Sequence, residues 1–168
     1  MPASSGMVSA FMSVSPVKGG WTRTTIAGPD GHYSLRVPSG PTRRLRVSAL
    51  APGAGSLACT TARARTRAGV TLHATRKVRP GGRVRFHGRL KGRPVPGRGK
   101  LVELQAFDGG KWRTFAQPRS RKNGRYQAAY KLRRTFGPRT FHFRARVRRE
   151  SGYPYELGYS RRIRVRVR

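Results

Sequence analysis

The sequence is short of acidic residues and of cysteine. Of its 168 residues only 5 are Asp or Glu, against 38 Lys or Arg, which gives a formal net charge of +33. Cys59 is the only cysteine, which excludes an intramolecular disulfide and a zinc site built from cysteines. No apolar run is long enough to cross a bilayer, so no membrane span is predicted.

The few carboxylates also argue against catalysis. A glycosidase needs two carboxylates that converge on one bond, but Asp30 and Asp108 each precede a glycine in a predicted turn. Glu103 lies on the outer face of a predicted strand, where we expect it to pair with an arginine. The histidines have no metal-ligand spacing, and neither a nucleophile elbow nor a phosphate-binding glycine loop occurs. We predict that the protein is not an enzyme and has no catalytic residue, metal or cofactor, and that Cys59 is a small core residue.

Several segments alternate apolar and polar residues, which is the pattern of half-buried strands. Arginine or histidine occupies every second position in residues 83–90, 141–149 and 161–168, and segments 100–107 and 124–132 complete the set. A strand collects such charges on one face, whereas a helix would scatter them. No helix is predicted. The expected core residues are Val84, Phe86, Leu90, Val102, Leu104, Ala106, Tyr126, Ala128, Tyr130, Leu132, Phe141, Phe143, Ala145, Val147, Ile163, Val165 and Val167.

Glycine-containing turns separate these strands at short intervals. Asp108-Gly109 and Asn123-Gly124 suit tight turns that need a positive φ. Short strands, regular turns and no helices predict an all-β fold of antiparallel β-sandwich type.

Two stretches have the same skeleton but differ in charge. "GGWTRTTIAGPDGHY" at 19–33 and "GGKWRTFAQPRSRKNGRY" at 109–126 align through Trp21 and Trp112. Because the first stretch keeps the pattern with far less charge, we predict that 109–126 is a hairpin whose charges face water. Each tryptophan is expected to anchor a hairpin, rather than to form a platform for sugars or bases.

The internal repeat divides the chain into two modules. Residues 1–67 are predicted to form an incomplete module and residues 68–168 a complete one, because the opening strands "VTLHATRKVRPGGRVRFHGRL" have no counterpart in the first. The start of the chain has no positively charged region before its short apolar stretch, so no signal peptide is predicted and a truncated chain is expected.

The repeated residues resemble a known family. "GHYSLRVP" with "GPTRRLRV", and the block from "VTLHATRKVRPGGRVRFHGRL" to "GYPYELGYS", are similar to the immunoglobulin-like repeats of high-GC bacterial surface proteins, including carboxypeptidase-regulatory-like modules. The resemblance implies tandem Ig-like β-sandwich modules without enzymatic activity. It also implies an extracellular or cell-surface location and a structural or adhesion role.

The excess of positive charge predicts an anionic partner. If the last strand pairs with 141–149, two rows of arginines become neighbours on one sheet face, and like charges across a ladder destabilise it. Cell-wall polymers or polysaccharides would relieve the repulsion; the alternative is a solvated face with counterions. A basic nucleic-acid-binding β protein with non-specific binding is the alternative function. The predicted polyanion-binding residues are Arg144, Arg146, Arg148, Arg162, Arg164 and Arg166.

The loop "SGYPYELGYS" at 151–160 is rich in tyrosine. Tyrosines at the end of a sandwich are typical of binding loops, so Tyr153, Tyr155 and Tyr159 form a second candidate site. The alternatives are that Tyr159 packs on the core and that Tyr153-Pro154 is a cis turn.

Overall fold

The computed structural model describes residues 11–51, 55–132 and 137–168, and in these residues every regular element is a strand. The all-β prediction is therefore confirmed. The chain divides into two compact units, Met1–Arg65 and Thr66–Arg168. The assignment of a partial and a complete module stays a prediction, and residues 1–10, on which much of the signal-peptide argument rests, lie outside the described residues.

The first unit contains one four-stranded antiparallel sheet in the order β2-β1-β3-β4. Its strands are β1 Phe11–Pro16, β2 Arg23–Ile26, β3 Arg43–Ala51 and β4 Gly55–Ala64. Val14 and Leu45 are its buried hydrophobic residues among those described. Side chains of β4 are exposed along almost its whole length, and Cys59 is one of them, so the expectation that Cys59 is a core residue is wrong.

The second unit contains two sheets. Its strands are β5 His73–Ala74, β6 Lys77–Val78, β7 Arg83–Arg89, β8 Glu103–Asp108, β9 Lys111–Ala116, β10 Arg125–Lys131, β11 Arg139–Val147, β12 Gly158–Tyr159 and β13 Ile163–Val167. The three-stranded sheet has the order β10-β7-β5, and the six-stranded sheet has the order β6-β13-β11-β8-β9 with β12 beside β11. The strands pair antiparallel, except that β6 runs parallel to β13.

Side chains from both sheets of the second unit form one core. The ring of Phe86 on β7 lies 4.9 Å from that of Phe143 on β11 and 5.3 Å from that of Phe115 on β9. Tyr130 is the exception among the expected core residues, since it is 36% exposed. The predicted alternation is confirmed by the buried residues Val84, Phe86, Leu90, Val102, Leu104, Tyr126, Leu132, Phe143, Ala145, Val147, Val165 and Val167.

Residues 109–126 do not form the predicted hairpin. The hairpin is β8–β9, closed by Gly109 and Gly110 with φ of 54° and 76°, angles that glycine adopts without a steric cost. β9 and β10 lie in different sheets, so the segment between them crosses from one sheet to the other. The Asn123-Gly124 turn forms as predicted, with the Asn123 side chain accepting a hydrogen bond from the amide of Arg125.

A glycine near the end of β7 fixes how the three-stranded sheet packs at this point. Gly88 lies opposite Tyr126 of β10, and a Cβ at Gly88 would meet both the Tyr126 ring and the carbonyl oxygen of Thr71. The Tyr126 hydroxyl donates a hydrogen bond to that same carbonyl. Burial raises the pKa of the Tyr126 phenol, which therefore stays protonated as a donor.

Residues 66–168 are expected to fold without the preceding unit, because every member of their core cluster lies within this range. Expressed alone, this segment should give a β-type circular dichroism spectrum and unfold in urea in one cooperative transition. A gradual transition, together with strong binding of a hydrophobic dye by the native sample, would contradict the prediction.

Candidate polyanion-binding surface

The pairing that underlies the predicted arginine patch is confirmed, but its register differs from the expected alignment. β11 and β13 pair antiparallel, with Arg164 opposite His142 and Arg166 opposite Thr140. Arg146 lies opposite Tyr159 of β12. Arg164 and Arg166 therefore have no arginine directly opposite them on β11, whereas Arg162 is close enough to Arg144 for its charge to lower the Arg144 pKa.

Glu103 neutralises part of the patch. Its carboxylate pairs with the guanidinium groups of Arg146 and Arg148, and its side chain is only 12% exposed. The Arg148 Nε lies 2.8 Å from one Glu103 oxygen. The predicted pairing of Glu103 with a neighbouring arginine is thus confirmed, and Arg146 and Arg148 already have a counter-charge within the protein.

Aromatic rings cover the third arginine of this row. The Arg144 guanidinium lies 4.2 Å from the Trp112 ring centroid and 4.4 Å from that of Tyr159, and its Nε donates a 2.9 Å hydrogen bond to Gln105. Burial lowers the pKa of Arg144, Tyr159 acts in the opposite direction, and the neighbouring charges of Arg146 and Arg162 lower it further. Cation–π contacts of this kind stabilise a desolvated guanidinium. We therefore assign Arg144 a structural role.

Arg162, Arg164 and Arg166 differ from that row because they line a cleft, and Arg162 also lies 5.5 Å from the Trp112 ring centroid. This edge cleft, of about 530 Å³, lies beside β13 and is lined by His73, Ala74, Arg76, Lys77, Arg162, Ile163, Arg164 and Arg166. The predicted patch therefore has two parts. Arg144, Arg146 and Arg148 have aromatic or carboxylate partners within the protein, and Arg162, Arg164 and Arg166 line a cleft.

A second basic cleft lies on the outer side of the three-stranded sheet. This face cleft, of about 700 Å³, is lined by Thr71, His73, His87, Gly88, Arg89, Arg119, Arg121, Arg125, Tyr126 and Gln127. Arg89 and Arg125 are directly opposite each other on β7 and β10. Like charges in this position oppose sheet pairing, and an anion between them would offset the cost.

The two clefts form one basic surface, because His73 lines both. Neither lining contains a carboxylate. Of the acidic residues in this unit, Glu103, Asp108 and Glu150 are paired with cations outside the clefts. Within the part of the chain that the structure describes, no three His, Cys, Asp or Glu side chains lie together as a metal site would require.

The predicted tyrosine binding loop is corrected for two of its three members. Tyr153 and Tyr155 are buried core residues, and the Tyr155 hydroxyl contacts both backbone groups of Arg93, so neither ring is accessible to a ligand. Burial, with a smaller effect of Tyr155, raises the pKa of Tyr153 to about 12. Tyr159 is exposed but packs on Arg144. Among the described residues, the cis peptide precedes Pro94 and not Pro154.

Several residues that line the clefts were not predicted from the sequence. The alternation in 83–90 already placed His87 and Arg89 on an outer face, but it did not show that His73 and Arg125 lie on the neighbouring strands. Arg119 and Arg121 were assigned to a water-facing hairpin. They line the face cleft because their segment passes between the sheets.

The chain matches no protein-family model, and no curated protein is significantly similar to it. Nor does any helix in the described residues have the length and apolar character needed to cross a membrane. In the residues that the structure describes, the protein is all-β and has two basic clefts whose linings contain no carboxylate.

Proposed function

We propose that this chain is a non-enzymatic structural or adhesion module of a secreted or cell-surface protein, and that it contacts anionic cell-wall polymers. The observation that carries the proposal is the basic surface of the two clefts, whose linings contain arginine, lysine and histidine but no carboxylate. Guanidinium groups bind phosphate and carboxylate through paired hydrogen bonds, and their attraction extends along a charged polymer.

We also propose that the second unit is an Ig-like β-sandwich and that the first unit is an incomplete copy of it. Two features support this architecture. The three-stranded and six-stranded sheets share one core, and the spatial order β2-β1-β3-β4 in the first unit corresponds to the order β9-β8-β11-β13 in the second, where β10 and β12 are additional strands. Among the described residues, the first unit has no counterpart of the three-stranded sheet.

The edge cleft provides a direct test of polymer binding. Changing Arg162, Arg164 and Arg166 together to serine should lower the salt concentration at which the protein elutes from immobilised heparin, a sulfated polysaccharide. The variant makes fewer contacts with sulfate groups, so its binding releases fewer counterions and gains less free energy. The matched control, R98S/K111S/R139S, removes the same charge from exposed positions outside both clefts. We expect a shift in elution at least about twice that of the control.

Equal shifts for the two triple variants would contradict the proposal, because retention would then follow net charge alone. The nucleic-acid alternative is tested with single- and double-stranded DNA over a salt series from about 50 to 200 mM. Retention of DNA binding in the upper part of that range, with release of heparin, would favour the alternative.

A further inference from the structure

The face cleft contains a stacked pair of histidines. The rings of His73 on β5 and His87 on β7 are stacked, with centroids 5.5 Å apart and an interplanar angle of 21°. The two residues are directly opposite each other in the sheet, and both are exposed. Histidine is the side chain whose ordinary protonation range lies between pH 5 and 8, so a stacked histidine pair in a basic cleft is a candidate for pH-dependent binding of an anion.

Every charged group around the pair has the same sign. Arg89 is two residues along β7, Arg125 lies on β10, and Arg119 and Arg121 come from the segment that crosses between the sheets. Gln127, the residue of β10 opposite His87, is neutral. On the other side of His73 are the cations of the edge cleft, Arg76, Lys77, Arg162, Arg164 and Arg166.

We propose that the His73–His87 pair and the surrounding arginines bind the phosphate groups of a linear polymer that has no bases, and that they bind it more tightly as the pH falls. This inference rests on the proposed polyanion contact and assigns its ligand chemistry. A phosphate held beside an imidazole interacts favourably with its protonated form and not with its neutral form. By linkage, binding therefore takes up protons, and affinity rises where the histidines become charged.

The shape of the site favours phosphate. Guanidinium groups reach the face cleft from three segments, β7, β10 and the connection that carries Arg119 and Arg121. Approach from several directions suits a tetrahedral anion, whereas a planar carboxylate presents its two oxygens in one plane. Single-stranded nucleic acids are bound through exposed aromatic platforms. In the face cleft the one phenolic ring, Tyr126, is buried, and on the six-stranded sheet Trp112 and Tyr159 stack on Arg144.

The test is the affinity of the whole chain for long-chain inorganic polyphosphate, whose internal phosphates remain ionised throughout the titration. Calorimetry at about 150 mM salt should show binding that tightens about tenfold from about pH 8 to about pH 5.5, with net proton uptake in buffers of different ionisation enthalpy. H73Q/H87Q should abolish the increase, so that its affinity changes less than about twofold between the two pH values. H73F/H87F keeps stacked rings without titration and should behave in the same way. The control H32Q, at an exposed histidine of the first unit, should match the unaltered protein.

The possible outcomes distinguish a failure of the histidine inference from a failure of the proposed polyanion-binding function. If both double variants keep the full pH dependence, the histidine pair is not responsible and the inference is overturned, although polymer binding stands. If single-stranded DNA of matched charge binds more tightly than polyphosphate, the assignment of a base-free polymer is overturned. If the unaltered protein binds neither polyphosphate nor heparin at about 150 mM salt at any pH, the polyanion function itself fails.

Discussion

Replacing Phe86 with alanine is expected to lower the free energy of unfolding of the second unit by about 3–5 kcal/mol. Phe86 is 1% exposed, and its ring contacts Phe143 on the opposite sheet as well as Phe115. The substitution removes the free energy gained by burying the ring. It also leaves a cavity, because the two packed sheets cannot move close enough to fill it. Urea unfolding of residues 66–168, followed by circular dichroism and tryptophan fluorescence, measures the change.

The matched control is Phe107→Ala on the outer side of the β8–β9 hairpin. Phe107 is 44% exposed and contacts Trp112 across the hairpin, so its loss should cost only about 1 kcal/mol. Equal losses for the two variants would mean that the two sheets do not close on Phe86, which contradicts the packing of the core.

The second large effect is expected from Glu150→Ala. Lys100 is 2% exposed, its ammonium pairs with the Glu150 carboxylate, and it lies 6.0 Å from the centroid of the Tyr153 ring. Removal of Glu150 leaves a buried charge without its partner, which typically costs 3–5 kcal/mol. Because the Glu150 side chain is 35% exposed, water can replace part of the interaction, and we expect a loss of about 2–3 kcal/mol.

A double-mutant cycle distinguishes the cost of the unpaired charge from the value of the ion pair. Lys100→Met combined with Glu150→Ala removes both charges and keeps an apolar side chain of similar length at position 100. This double variant should recover most of the loss, to within about 1 kcal/mol of the unaltered protein. If it is as unstable as Glu150→Ala, the buried ammonium is not the source of the effect.

The core of the second unit could be predicted from alternation, because each strand has one buried and one exposed face. Val84, Phe86 and Phe143 follow a period of two, and the structure buries all three. The exposed Tyr130 shows the limit of this rule: its strand β10 is an edge of the three-stranded sheet, where inward-facing positions are incompletely covered.

The site could be predicted only in part, because alternation gives the face of a residue but not its neighbours. The arginines of β13 were identified from the sequence, and their exposure agrees with that reading. The sequence predicted that Glu103 pairs with an arginine, but it did not show that the partners are Arg146 and Arg148, or that Trp112 and Tyr159 contact Arg144. These contacts depend on the register of β11 against β8 and β12, and register is set by pairings distant in sequence.

Strand β7 links the interior of the second unit to its surface. Phe86 points inward from it, while His87 and Arg89 point into the face cleft. A shift by one residue would exchange these roles and place guanidinium groups in the hydrocarbon interior. Binding of the proposed polymer in the face cleft should therefore stabilise the folded state. At about 100 times its dissociation constant, the polymer raises the free energy of unfolding by about 2.7 kcal/mol. Thermal unfolding measured with and without such a polymer therefore reports binding at the surface as an increase in the melting temperature of the core.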